Sequence, residues 1–215
     1  MPGRGVLVTI DGPGGVGKST TVKKTARHLK KAGARVFSTR QPTTSVLGQY
    51  IRATTETYRG MALALLVAAD RMHQQDTEIE PHLDDGDVVL CDRYLPSSLV
   101  LQGIDGVPAE TVWAMNAGIR VPDIAVFLRA DPAMIDARMR ARGGPHDRFE
   151  TMPGYAVREQ ALFDIAAGDL TARGWPVHII DCNELWPHET ATVIADLIET
   201  TLSDTEPIAT HRSPA

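Results

Sequence analysis

Only two of the 215 residues are cysteine, Cys91 and Cys182, and they form no CxxC or Cys/His pair. Each sits in or beside an apolar run, so buried free thiols of a reducing compartment are expected. Long apolar runs are missing as well, and no stretch approaches the roughly 18 residues of a membrane span. Nor is there a basic excess. Lys and Arg number 22 against 27 Asp and Glu, a formal charge of −5, which argues against a protein that coats nucleic acid. Internal repeats and low-complexity blocks are absent. A strand pattern begins within a few residues of Met1, so no signal peptide is expected. A cytoplasmic protein without membrane or nucleic-acid partners is the expectation.

What is present reads as one folded unit. Hydrophobic residues make up 43% of the chain, enough to argue against disorder. The length suits a single α/β domain, since one core grows to about 250 residues before splitting. Short apolar runs at 6–10, 35–39, 88–91, 123–128 and 177–181 predict five strands. Amphipathic stretches at 18–32, 61–82, 109–117, 132–142, 154–173 and 187–202 predict helices between them. Strands this apolar, separated by helices, imply a parallel sheet sandwiched between helices, with ligands at the carboxyl ends of the strands. Residues 1–203 are expected to form the domain, and 204–215 a flexible tail.

Gly12-Pro13-Gly14-Gly15-Val16-Gly17-Lys18-Ser19 matches G-x-x-x-x-G-K-[ST] in full. The motif follows a strand and opens a helix, the context a P-loop needs. Glycines let successive backbone N–H groups turn onto phosphate oxygens, and the helix N-terminus adds a favourable dipole. Lys18 is placed to reach the β- and γ-phosphates of ATP. Ser19, followed by Thr20, is placed to ligate Mg²⁺.

Val88-Val89-Leu90-Cys91-Asp92 has the form of a Walker B strand, whose terminal acid holds the Mg²⁺ shell. The next residues are Arg93 and Tyr94 rather than a second acid, and no Asn-Lys-x-Asp run is found. Both absences point away from a motor ATPase or a guanine-nucleotide switch. Transfer to a phosphorylated acceptor is the better reading.

Further motifs fall in a specific order: Thr39-Arg40-Gln41-Pro42, Ala68-Ala69-Asp70-Arg71, Asp92-Arg93-Tyr94-Leu95-Pro96-Ser97-Ser98, Gln102-Gly103 and Asp147-Arg148-Phe149-Glu150. With the P-loop, they make the chain resemble the thymidylate kinase family of nucleoside monophosphate kinases, from about residue 6 to residue 202. The resemblance implies a P-loop NTPase-type fold with a small mobile lid at about 143–153. It also implies ATP as phosphate donor, Mg²⁺, and a homodimer, for which Trp113, Met115 and the 61–66 segment offer apolar contacts. Arg71 and Arg93 would grip the acceptor's 5′-phosphate, with Arg40 nearby. Val67, Ser98, Leu101 and Gln102 would complete the acceptor pocket. Arg148 would reach the transferred phosphate from the lid, joining Lys18, Asp92 and Arg93 as the catalytic set. Arg138 and Arg142 would face the donor nucleotide, on its adenine side.

Departures from the family cluster at the acceptor's sugar and base. Gly14 stands where the P-loop usually carries an acid, Val67 where a Phe stacks on thymine, and Leu101 where a Tyr lies near the sugar. Gln41 replaces a Glu. Transfer to dTMP is therefore the family default, and a modified or ribose-containing pyrimidine nucleotide, or another phosphorylated metabolite, is the alternative. A regulatory module that binds nucleotide without transfer is a further reading, opposed by the survival of Lys18, Ser19, Asp92 and Arg148.

Overall fold

The computed structural model describes residues 4–144 and 148–205. The central part of the expected lid, 145–147, lies outside them, as does the tail beyond 205. Five strands, β1 (Val6–Asp11), β2 (Val36–Arg40), β3 (Val88–Asp92), β4 (Ile124–Arg129) and β5 (Val177–Asp181), make one sheet in the order β2-β3-β1-β4-β5. Every pairing is parallel, as the near-continuous apolar runs require.

Alternation along the strands divides the core between the two faces of the sheet. Val6, Val8 and Ile10 of β1 point to one face, where Val22, Ala26 and Leu29 of α1 (Lys18–Lys31) meet Ile194 and Ile198 of α9 (Pro187–Thr205). Leu7, Val89 and Cys91 point to the other. There they pack under α3 (Gly60–Gln74), α5 (Leu95–Ile104), α6 (Ala109–Met115) and α8 (Tyr155–Ala172), through Ala64, Val100, Val112 and Phe163. Both cysteines are buried and free. Among the described residues no helix is long and apolar enough to cross a membrane.

Strand order places the site. From β1 the chain crosses to one side of the sheet for β2 and β3, and after β3 it crosses to the other side for β4 and β5. The crevice at the carboxyl ends of β1 and β3 is thus the topological switch point. Gly12 follows β1 there, and Asp92 ends β3.

Three features depart from the expected elements. The helix predicted over 61–82 is divided into α3, a π-helical turn (Gln75–Ile79) and α4 (Glu80–Asp84), with Pro81 in the first turn of α4. Two helices were not evident from sequence, α2 (Val46–Thr54) and α5. In α2, Ser45 caps the helix by accepting the Gly48 N–H at 3.1 Å. Gly48 is confined to glycine because a Cβ there would lie 2.1 Å from the Thr43 carbonyl oxygen. The cap of α5 comes from a different strand. Asp11 of β1 accepts the Tyr94 and Ser97 N–H groups at 3.1 Å each and the Ser97 hydroxyl at 2.6 Å. Finally, α9 continues to Thr205, two residues past the expected domain boundary.

Candidate active site

The loop after β1 closes as a phosphate cradle because its glycines permit it. Gly12 has φ 142°, and a Cβ there would lie 2.3 Å from the Leu128 carbonyl oxygen. Gly17 has φ 115° at the start of α1, a conformation that disfavours any side chain. Lys18 is buried, and its Nζ donates to the carbonyls of Gly12 and Pro13 at 2.7 Å each. Burial, aided by repulsion from Arg93, pushes the Lys18 ammonium down to about 8. The Ser19 hydroxyl donates to the Asp92 carboxylate, so the P-loop serine and the strand-end acid meet at the switch point.

Two cavities adjoin the cradle. One, of about 500 Å³, is lined by Gly14, Gly15, Val16, Gly17, Lys18, Ser19 and Thr20, together with Arg138 and Arg142. Arg138 donates to the Val16 carbonyl at 2.8 Å, which fixes its guanidinium beside the loop. Gly12 and Pro13 do not line this cavity; their carbonyls hold Lys18, which does. The second cavity, of about 330 Å³, lies between α2, α3 and α5. All seven residues expected around the acceptor line it: Arg40, Val67, Arg71, Arg93, Ser98, Leu101 and Gln102. Ser19 and Arg93 line both cavities.

The arginines of the second cavity differ in kind. Arg71 is completely buried and spent largely on protein groups. Its Nε donates to Gln41 at 2.8 Å, one terminal nitrogen to Asn116, and the other to Ser98 at 2.6 Å. Arg93 adopts φ 72°, unusual for a side-chain-bearing residue. That turn aims its guanidinium along the boundary between the cavities, 3.3 Å from the Ser97 hydroxyl. Although burial works against its charge, Glu159 and Asp92 hold Arg93 above its usual range.

Both the sequence and the fold have counterparts among known proteins. A thymidylate kinase family model matches residues 10–162. A thymidylate kinase of Xanthomonas euvesicatoria pv. vesicatoria is 36% identical over 181 residues, 83% of this chain and 77% of that protein. A probable thymidylate kinase of Pyrobaculum aerophilum is 34% identical over 198 residues, 90% of this chain and 96% of that one. The chain belongs to the thymidylate kinase family. Its fold is shared with the solved thymidylate kinase of Candida albicans, at a TM-score of 0.77 and 20% identity over 96% of each chain.

Within a thymidylate kinase framework, two expected residues have unexpected surroundings. Arg148 lines neither cavity. It makes a two-pronged ion pair with Asp105, 2.7 Å on one prong, donates from Nε to the Thr55 carbonyl at 3.0 Å, and lies 4.0 Å over the Phe149 ring. Those contacts join the end of α2 to the end of α5, beside Thr55 and Phe149 of the second cavity's lining. Arg142 is likewise paired, with Glu150. Asp147 of the same motif lies outside the described residues.

Gly14 is the other. A Cβ there would lie 2.3 Å from Glu150 Oε1 and 2.4 Å from the Tyr155 hydroxyl. The room an acid would use is filled by Glu150 and by Tyr155 of α8. Its N–H is also taken, by Glu159 at 2.7 Å and the Tyr155 hydroxyl at 3.1 Å. Gly14→Asp would crowd a further carboxylate against Glu150 and Glu159, and like charges in a low-dielectric site repel strongly. That variant should lose kcat/KM for a nucleoside monophosphate in a steady-state assay; a gain would show that the crowding is relieved.

Sequence reading missed Asp105, Tyr155 and Glu159, and also Arg52, which lines the second cavity from α2. Tyr155 and Glu159 carry a weak signal, four residues apart on one helical face, but only the fold shows that this face meets the P-loop.

Proposed function

We propose that the protein transfers the γ-phosphoryl group of ATP to the 5′-phosphate of dTMP, giving dTDP and ADP. The observation that carries this reading is the junction of the two cavities at Ser19 and Arg93, directly beside the cradle. A triphosphate in the larger cavity and a monophosphate in the smaller would bring their reacting groups to that junction. Family membership selects dTMP over the other acceptors and over a non-catalytic role.

Ser19 and Asp92 fit a hard divalent cation: both offer oxygen, they already touch, and Mg²⁺ needs only one or two protein oxygens beside phosphates and water. When bound, Mg²⁺ neutralises charge on the β- and γ-phosphate oxygens. Lys18 exchanges the Gly12 and Pro13 carbonyls for those same oxygens. Arg40 and Arg93 hold the acceptor phosphate, and Arg71 shapes the floor of its pocket. Arg138 and Arg142 border the donor nucleotide. Val67, Leu101, Ser98 and Gln102 enclose the sugar and base.

An attacking phosphate monoester is largely ionised at neutral pH, with a second pKa of about 6. No base is needed to activate it. A cation after Asp92, where hydrolytic relatives of the P-loop class use an acid, then suits the chemistry: Arg93 spreads positive charge where negative charge develops.

In this reading residues 1–203 act as one kinase unit and 143–153 as its lid, which excludes water on closing. Arg148 works from the lid after release from Asp105. Met61 and Leu65, exposed four residues apart on α3, suit the two-fold contact of a homodimer, whereas Trp113 is engaged with Trp175, Arg173 and Asp169. Buried free thiols suit the cytoplasm.

Release of ADP that depends on added dTMP tests the reaction; ATP turnover indifferent to dTMP would refute it. A pH profile tests the cradle. Lys18 is charged below pH 8 and loses its proton above it. The kcat/KM for ATP, which reports the free enzyme, should therefore fall about tenfold per pH unit on the alkaline side. A profile flat to pH 10 would contradict that placement of Lys18.

A further inference from the structure

The buried guanidinium of Arg71 donates to four neutral oxygens, those of Gln41, Asn116, Ser98 and the Tyr94 carbonyl. The first of them opens a run of side chains that leads away from the acceptor cavity. Gln41 donates from Nε2 to Gln74 Oε1 at 2.8 Å. The Nε2 of Gln74 is shared among the Thr39 hydroxyl oxygen at 2.7 Å, Glu78 Oε2 at 3.1 Å and the Arg40 carbonyl at 3.2 Å. Thr39 donates its own hydroxyl to Glu78 Oε2 at 2.6 Å. The two ends set the direction of the run. An ionised carboxylate only accepts and a guanidinium only donates, so both amides turn their nitrogen towards Glu78 and their oxygen towards Arg71. Their dipoles are thereby aligned between an anion and a cation, and bonds in such a run strengthen one another.

We propose that Gln74 is a positioning residue for the acceptor, holding Gln41, and through it Arg71, in one orientation while tying the end of β2 to α3. The inference rests on the kinase reading above. Gln74 is fully buried and lines neither cavity, so it acts through its neighbours rather than on substrate. Those neighbours, Thr39, Arg40 and Gln41, are consecutive, and Arg40 and Gln41 line the acceptor cavity with Arg71. Local structure explains the placement. Arg71 and Gln74 stand three residues apart on one face of α3. The π-helical turn begins directly after Gln74, and Glu78 within it reaches back to the Gln74 amide. None of the residues from Thr39 to Gln41, nor Arg71, Gln74 or Glu78, lines the donor cavity.

Shape and direction can be separated. Gln74→Glu keeps the length of the side chain and an oxygen for Gln41, but it removes the N–H donors and sets a carboxylate against Glu78. With ATP saturating, the KM for dTMP should rise at least about tenfold, because buried groups of the run lose their partners. The kcat and the KM for ATP should stay within about threefold of wild type, since the run serves the acceptor side alone. Adding Glu78→Gln to Gln74→Glu exchanges carboxylate and amide and returns a donor to the run. That double variant should bring the KM for dTMP back to within about threefold of wild type. Glu78→Gln alone, at the half-buried end of the run, leaves the buried amides in place and removes only the anion that directs them; the KM for dTMP should rise about threefold or more. An unchanged KM for dTMP in either single variant would overturn the proposal, as would a double variant no better than Gln74→Glu. So would parallel losses of kcat, ATP binding and thermal stability in Gln74→Glu, which mark a residue that only supports the fold. A wild-type protein inactive on dTMP would overturn the kinase reading and the inference with it, whereas an active wild type beside an indifferent Gln74→Glu variant overturns the inference alone.

Discussion

Replacing Lys18 by alanine should lower turnover at least about a hundredfold and leave the protein folded. The loss follows from the chemistry, because phosphoryl transfer relies on fixed positive charge over the transferred oxygens, and one well-placed donor in such a site contributes about 10²–10³ in rate. Retention of the fold follows from the energetics of the same side chain. Lys18 is buried, and burial lowers its proton affinity, so its charge is held at a cost to stability. Its two hydrogen bonds go to P-loop carbonyls, which water from the adjoining cavity can serve once Nζ is gone. A thermal melt should stay within a few degrees of wild type while kcat collapses. Turnover near wild type would remove the P-loop from the mechanism.

Arg93 and Arg71 should fail in different ways. Arg93→Ala removes the cation common to both cavities, so turnover should drop at least about a hundredfold with every monophosphate tried, because the phosphate is the part all acceptors share. Stability should change little. It should even benefit slightly at the backbone if glycine is used, since φ 72° at this position is strained for any side chain. Arg71→Ala strips Gln41, Asn116 and Ser98 of a shared buried donor. Leaving such groups unsatisfied costs about 1–3 kcal/mol each at most, with water from the cavity recovering part of it. Arg71→Ala should therefore unfold earlier in urea, and its acceptor KM should rise as the pocket floor loosens. If the two variants proved alike, both losing turnover with no change in stability, the division between a phosphate grip and a structural floor would be wrong.

The fold was largely legible because its signals are local. Each strand is a short apolar run, and the P-loop announces itself by composition and by its place between strand and helix. The residues around both cavities were legible for a different reason: they belong to motifs that keep family order. What escaped notice depends on contacts far apart in sequence. The N-terminus of α5 is capped by Asp11, more than eighty residues upstream, so 95–104 offers no cap of its own to read. The grip of Arg148 on Asp105 joins its loop to a helix end that shares no motif with it. Gly14 read as the loss of an acid, whereas the fold brings Glu150, Tyr155 and Glu159 to that spot from later in the chain. Absence of a residue from a motif is not absence of its chemistry from the site.

Val67 and Leu101 leave a pocket whose aromatic walls are Tyr94 and Phe149 rather than residues at the usual stacking positions. Whether that pocket still selects thymidylate is the point on which the account turns. The direct measurement is kcat/KM across a panel of nucleoside monophosphates at saturating ATP and Mg²⁺, followed by ADP release and by identification of the diphosphate formed. The account predicts that dTMP gives the highest value, about 10⁴ M⁻¹s⁻¹ or more, with dTDP as product. A ribonucleotide or a modified pyrimidine preferred over dTMP by about tenfold or more, a difference of 1.4 kcal/mol in transition-state binding, would contradict it.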